Sequence, residues 1–413
     1  MPEFSDEPNF TVAGVTDTTN LGGHGSDVVV RNREGLAKAT AALAGSSAPS
    51  QPPESLAAAE KSLRAALEKD GVSYDANYRL GKLLVDERKP REAIPYLERA
   101  SKTNPGVYDS EYELALAHCA AGDLQAAAAE ASALLSQHNT AEVHHLLAEV
   151  AEKRDDPLEA VRQYQSATER DPTEQNYFDW GSELLLHRAA DPAVEVFSKG
   201  VTLFPASVRM LSALGAAWYA RGSYDRSVET LCRASDLDPT ATAPYIFLGR
   251  IQNVEPTANA EIVARLARFA QLQPANPWAN YYYAVSLWKR RSSPDDNQNL
   301  PQIEALLQTA IRANPNFSAA HLQLGILYSE RRNFPAAIAA YRKAAETAPD
   351  LPDAHYRLAQ LYRQAGEKSK AEQELHLYRQ ASKKAAEEAE RERHDIRQFV
   401  YTLRDQTPAS PPR

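Results

Sequence analysis

Cysteine is nearly absent from this chain: Cys119 and Cys232 are the only two in 413 residues. That excludes a disulfide framework, and the two lie too far apart in the repeat pattern set out below to bridge. Apolar packing is the expected role of both. Long hydrophobic runs are missing as well. No stretch of about 18 apolar residues occurs, so no membrane span is expected. Nor is there an excess of cations. Lys and Arg number 46 against 55 Asp and Glu, a net charge of −9. This argues against nucleic acid bound on a broad basic face. A secretory signal is lacking too, since Met1-Pro2-Glu3-Phe4-Ser5-Asp6 is polar and acidic. As the sequence is written, a cytoplasmic location is expected, or a periplasmic or secreted one if a signal peptide precedes it.

Catalytic spacing is also scarce. The ten histidines form no metal or nucleophile pattern. His145 shares a helix face with Glu142 and Glu149, but one His is too few for a metal site. The Gly-rich stretch Thr16–Asp27 lacks the Gly-Lys-Ser/Thr ending of a phosphate loop and the spacing of a dinucleotide fingerprint. His24 with Asp17 and Asp27 is equally weak as a metal site, and a turn is the expected role of the stretch. No catalytic, cofactor or metal residue is therefore expected.

What the chain does have is a beat of prolines. Pro172, Pro205, Pro239, Pro274, Pro315 and Pro349 each close an apolar-periodic stretch, and the gaps are mostly 33–35 residues. A fixed period of this size marks a solenoid. Each period carries a large residue beside a small one: Leu80-Gly81, Leu114-Ala115, Leu147-Ala148, Trp180-Gly181, Leu214-Gly215, Leu248-Gly249, Tyr283-Ala284, Leu324-Gly325 and Leu358-Ala359. A second small residue follows, as at Ala93, Ala127, Ala160, Ala193 and Ala337. Two helices of a hairpin approach closely where small residues face each other. The proline cannot continue a helix and sets the corner into the next period.

The cleanest period runs His321-Leu322-Gln323-Leu324-Gly325-Ile326-Leu327-Tyr328, then Ala337, Tyr341, Ala344 and Pro349. It resembles the tetratricopeptide repeat, whose pattern of an aromatic, Leu-Gly, Tyr, Ala, an aromatic and Pro spans about 34 residues. The resemblance implies an all-α fold, a right-handed superhelical solenoid of about nine helical hairpins over residues 74–378. The copy from about Thr242 to Gln273 is irregular, with Glu261 at a small position. The next holds a turn-rich insertion from Arg290 to Pro301. His144, His321 and His355 occupy the position usually aromatic, and packing is expected of them.

The ends differ from the repeats. Residues 54–73 read as an amphipathic capping helix, with Leu56, Ala59, Leu63, Ala66 and Leu67 on one face. Residues 379–404 read as a charged, solvating helix. The apolar seam Ile396, Phe399 and Leu403 is too short for a coiled coil. The tail 405–413 is expected to be disordered. Residues 1–53 form a non-repeat leader ending in a Pro/Ser linker. Phe10–Val15 and Val28–Arg31 can be read as short strands, and Arg33–Leu43 as a helix. The leader resembles one seen ahead of tetratricopeptide repeats in bacterial, acidobacterial-type proteins, which implies no activity.

In the family that the repeats resemble, first helices line the concave surface. The residue two before each Leu of the large-small pair should face inward: Tyr78, Tyr112, His145, Phe178, Ser212, Ile246, Tyr281, Leu322 and Tyr356. Aromatic side chains supply contact area at interfaces. The candidate partner-binding residues are thus Tyr78, Tyr112, Phe178, Tyr219, Tyr281, Trp288 and Tyr356. Core packing between helices is the competing role, above all for Tyr283. Co-chaperones of this family that grip acidic tails carry Asn directly after the small residue. Here that position holds Lys82, Leu116, Glu149, Ser182, Ala216, Arg250, Val285, Ile326 and Gln360, so such a clamp is not expected. The expected function is a non-catalytic scaffold for protein or peptide partners. The alternative is an accessory subunit that organises a cell-envelope enzyme or export complex. An enzyme with its site in the leader is a third reading, but 53 residues are fewer than the about 100 of an ordinary catalytic domain.

Overall fold

A computed structural model describes residues 53–254, 259–291 and 297–406. The expected strands and helix of the leader, residues 292–296 of the insertion, and residues 407–413 of the tail lie outside the described residues. Those described hold helices and no strands. The first helix, α1 (Pro53–Lys69), stands alone. Nine hairpins follow among the described residues. They pair α2 (Tyr74–Asp86) with α3 (Pro90–Thr103), α4 (Tyr108–Ala121) with α5 (Leu124–Gln137), and α6 (Ala141–Lys153) with α7 (Pro157–Arg170). Next come α8 (Glu174–Leu186) with α9 (Ala190–Leu203), α10 (Val208–Ala220) with α11 (Tyr224–Leu237), and α12 (Thr242–Val254) with α13 (Ala260–Leu272). The last three pair α14 (Pro277–Lys289) with α15 (Leu300–Ala313), α16 (Ser318–Glu330) with α17 (Phe334–Thr347), and α18 (Pro352–Gln364) with α19 (Lys368–Gln406). The chain divides into two compact units between Phe204 and Pro205.

In the N-terminal unit, α1 lays Leu63 and Leu67 against a core that includes Leu80, Leu84, Ala93 and Leu97. The next hairpin adds Ala115, Cys119, Ala127 and Leu134 beneath Val143, Leu146 and Val150. Close helix approach explains the small residues. A Cβ built on Gly181 would lie 2.5 Å from Cε1 of Phe197, so any side chain there pushes α8 off α9. In seven of the nine hairpins the described turn contains a left-handed residue. Gly122 supplies it at φ 89°, whereas Arg88, Asp155 and Arg188 take the same repeat position at φ 60°, 60° and 58°.

In the C-terminal unit the same rules hold, with one exception. Gly215 faces Leu231 and Gly325 faces Tyr341, each on its own second helix. Gly249 instead meets the ring of Tyr282 on α14. The irregular sixth hairpin therefore seats its first helix against the following repeat. Glu261, at the expected small position, is exposed and pairs with Arg265 at 3.1 Å, which also reaches Asp236 at 2.8 Å. The charged helix expected to begin at residue 379 is not a separate element. It continues α19 without a break, because no Gly or Pro interrupts residues 368–406. Among the described residues no helix is long and apolar enough to cross a membrane.

Candidate functional site

The row of first-helix residues is unevenly buried. In the N-terminal unit Tyr78, Tyr112 and His145 stay partly exposed, while Phe178 is 8 % exposed. Tyr78 stacks on Tyr74 at 5.9 Å and Tyr112 on Tyr108 at 5.7 Å, so each ring is held by the preceding turn of its own helix. Phe178 turns to Phe197, with centroids 6.3 Å apart. In the C-terminal unit Ser212, Tyr281 and Leu322 are buried, and Tyr356 is partly exposed beside Tyr378 at 5.4 Å.

Three of the expected binding residues are therefore core. Phe178, Tyr219 and Tyr281 are each less than 10 % exposed. Tyr281 lies in an aromatic cluster with Trp278, Tyr282 and Phe317 at 6.3, 5.3 and 5.0 Å. Tyr219 packs on Phe247 at 6.0 Å and Tyr224 at 5.7 Å. Tyr78, Tyr112, Trp288 and Tyr356 keep part of their surface. Trp288 keeps least chemical freedom, because the Arg291 guanidinium lies 4.5 Å from its ring centre. Tyr283, expected in the core, is partly buried against it.

Charged side chains frame the row in the N-terminal unit. Lys82 pairs with Glu113 across neighbouring hairpins. His145 does not join Glu142. Its Nε2 lies 2.8 Å from Asp179 and its Nδ1 3.5 Å from Glu149. Burial lowers the His145 pKa, but the Asp179 hydrogen bond and the surrounding carboxylates outweigh it and leave the value raised. Deeper in, Tyr164 donates to Oε1 of Glu152 at 3.1 Å. Burial, with the adjacent Glu183 charge, pushes the Glu152 carboxyl up to about 8. Among the described residues no group of three or more His, Cys, Asp or Glu side chains is placed to hold a metal ion. Cys119 and Cys232 are both buried thiols.

A second row went unread in the sequence. His321 Nε2 donates to the Pro315 carbonyl and His355 Nε2 to the Pro349 carbonyl, both at 2.9 Å. Asn280 does the same at Pro274, at 2.9 Å, and Tyr245 at Pro239, at 3.0 Å. Asn77 reaches the Gly71 carbonyl at 3.1 Å. Of these, His321 and His355 were expected only to pack. The row satisfies corner carbonyls left outside a helix, four of them on prolines and one on Gly71. The signal was a polar group six residues after the corner.

Tetratricopeptide repeat models match residues 78–142 and 295–352 in one case and 329–389 in another. No curated protein matches the sequence. Among solved structures, YrrB, a tetratricopeptide repeat protein with an unusual peptide-binding site, is similar at 16 % identity and TM-score 0.37, covering 45 % of this chain and 96 % of that one. Yeast Tom70 is similar at 16 % identity and TM-score 0.42, covering 86 % and 89 %. The C-terminal part of a repeat protein from Cytophaga hutchinsonii is similar at 16 % identity and TM-score 0.42, covering 67 % and 97 %. With small first-helix residues packed against large side chains and proline corners closing most hairpins, this chain carries tetratricopeptide repeats, matched directly over residues 78–142 and 295–389, which support a protein-interaction scaffold.

Proposed function

We propose that this scaffold binds protein or peptide partners on the first-helix row, at the repeats nearest its two ends. The carrying observation is the contrast within one repeat position. Tyr78, Tyr112 and Tyr356 retain exposed ring surface, whereas Phe178, Tyr281 and Leu322 are less than 10 % exposed. Partly exposed, pre-stacked tyrosines offer contact area with little rotamer entropy left to lose. The Lys82–Glu113 pair and the His145–Asp179 pair supply polar groups beside them. A net charge of −9 supports a protein partner over nucleic acid. The family reading supports binding without catalysis. The test is a peptide array probed with the full chain, followed by titration of the best binders against Tyr78→Ala and Tyr356→Ala. Loss of about tenfold or more in affinity is expected, the size of one interface anchor. Unchanged affinity in both variants would move the binding face elsewhere.

A further inference from the structure

A second concavity lies away from the first-helix row, within the C-terminal unit. It is a groove of about 490 Å³ between the second helices α15 and α17, floored by α16. Ile311, Leu324, Tyr328 and Ala340 line it, and its lining is almost wholly apolar. The row residue Leu322 sits on another face of α16, so the groove is separate from the proposed partner face. Its charge is one-sided. Arg312 and Lys343 belong to the lining, and no carboxylate does. Of the nearby acids, Glu304 is engaged with Tyr328 at 2.9 Å and Arg331 at 2.6 Å, and Glu346 pairs with Lys343 at 3.4 Å, so an acidic occupant competes with Glu346 for that side chain.

An apolar floor with cations at its sides fits an acidic segment that carries large apolar side chains. The chain has one. Residues 1–30 contain five acids, Glu3, Asp6, Glu7, Asp17 and Asp27, and no Lys or Arg. Phe4 and Phe10 bracket two of those acids, Asp6 and Glu7, and Glu3 directly precedes Phe4. We propose that the segment Glu3–Phe10 of the same chain docks in this groove, with Phe4 or Phe10 as the apolar anchor and its acids facing Arg312 and Lys343. The residues 11–52 separate Phe10 from α1, and 42 residues span up to about 140 Å when extended. A tether makes the docking intramolecular, so it does not depend on protein concentration. Pairing at an exposed rim is screened by salt, so docking should weaken as ionic strength rises.

The experiment uses the full chain with Phe4, and separately Phe10, replaced by the photo-crosslinker p-benzoylphenylalanine. Irradiation at dilute protein should join the leader to peptides of α15, α16 or α17 in a product of monomer mass. In the same chain, Arg312→Glu with Lys343→Glu should reduce that product about fivefold or more, as should high salt. Both rim side chains are exposed, so the fold should survive the charge reversal. Hydrogen exchange provides a second reading: deleting residues 1–30 should speed exchange in α16 and α17. Crosslinks elsewhere, a yield indifferent to charge reversal, a product of dimer mass only, or exchange unchanged by the deletion would each overturn the proposal.

Discussion

Nε2 of His355 donates to the carbonyl of Pro349 at 2.9 Å, while its Nδ1 lies 2.7 Å from Oε2 of Glu374. One ring thus ties the corner before α18 to the helix after it. His144 makes a related pair of contacts, to Asn139 at 2.8 Å and Gln163 at 2.6 Å. His355 is buried, so truncating it leaves the Pro349 carbonyl without its partner. His355→Ala should lower the stability of the C-terminal unit by about 1–3 kcal/mol. His355→Asn should recover part of this, because Asn280 serves the Pro274 corner. Urea unfolding of the two variants checks it, and equal losses would mean the ring acts by volume alone.

The turns inside the hairpins give a prediction of opposite sign. Arg332 sits at φ 56° where Gly222 and Gly366 hold the same repeat position at φ 82° and 78°. A left-handed residue with a Cβ costs about 1 kcal/mol. Arg332→Gly should therefore raise stability by about that amount, and Gly222→Ala should lower it. Thermal melts of both variants decide, and shifts of the same sign would contradict the turn account.

Glu152 makes the N-terminal unit sensitive to alkali. Its folded value of about 8 lies above the ordinary 4.5, so the folded state keeps a proton that the unfolded chain has already released. The stability it contributes is full below about pH 4.5 and is lost as pH rises through about 8. Glu152→Gln cannot ionise beside Glu183. Its denaturation midpoint should fall less between about pH 5 and pH 8 than that of the native chain. Parallel profiles would contradict the assignment.

How far the sequence could be read depended on whether the cause was local. Proline corners and facing small residues recur because each hairpin repeats the same close approach, so the period and the helix pairing were legible. The left-handed turn was legible at Gly122, Gly222 and Gly366 and hidden at Arg88, Asp155, Arg188 and Arg332. Burial along the first-helix row was not legible, because neighbouring repeats set it. Tyr78 and Tyr281 hold one repeat position, yet Phe317 and Trp278 close over Tyr281 alone. His321 and His355 were read as packing because the family position is aromatic. Their bonds to proline carbonyls depend on where the corner turns back, which spacing does not show. The sixth hairpin was legible as irregular, but not that Gly249 would pack on Tyr282 of the next repeat.

The central claim is that one repeat position serves binding where its side chain is exposed and packing where it is buried. The most direct measurement compares Tyr78→Ala with Phe178→Ala in the full chain, by titration with an array-selected peptide and by chemical denaturation. Tyr78→Ala should weaken binding about tenfold or more with little change in stability. Phe178→Ala should cost about 3–5 kcal/mol of stability in the N-terminal unit, the usual loss for a buried Phe. Binding unaffected by Tyr78→Ala, or a stability loss as large as that of Phe178→Ala, would contradict the account.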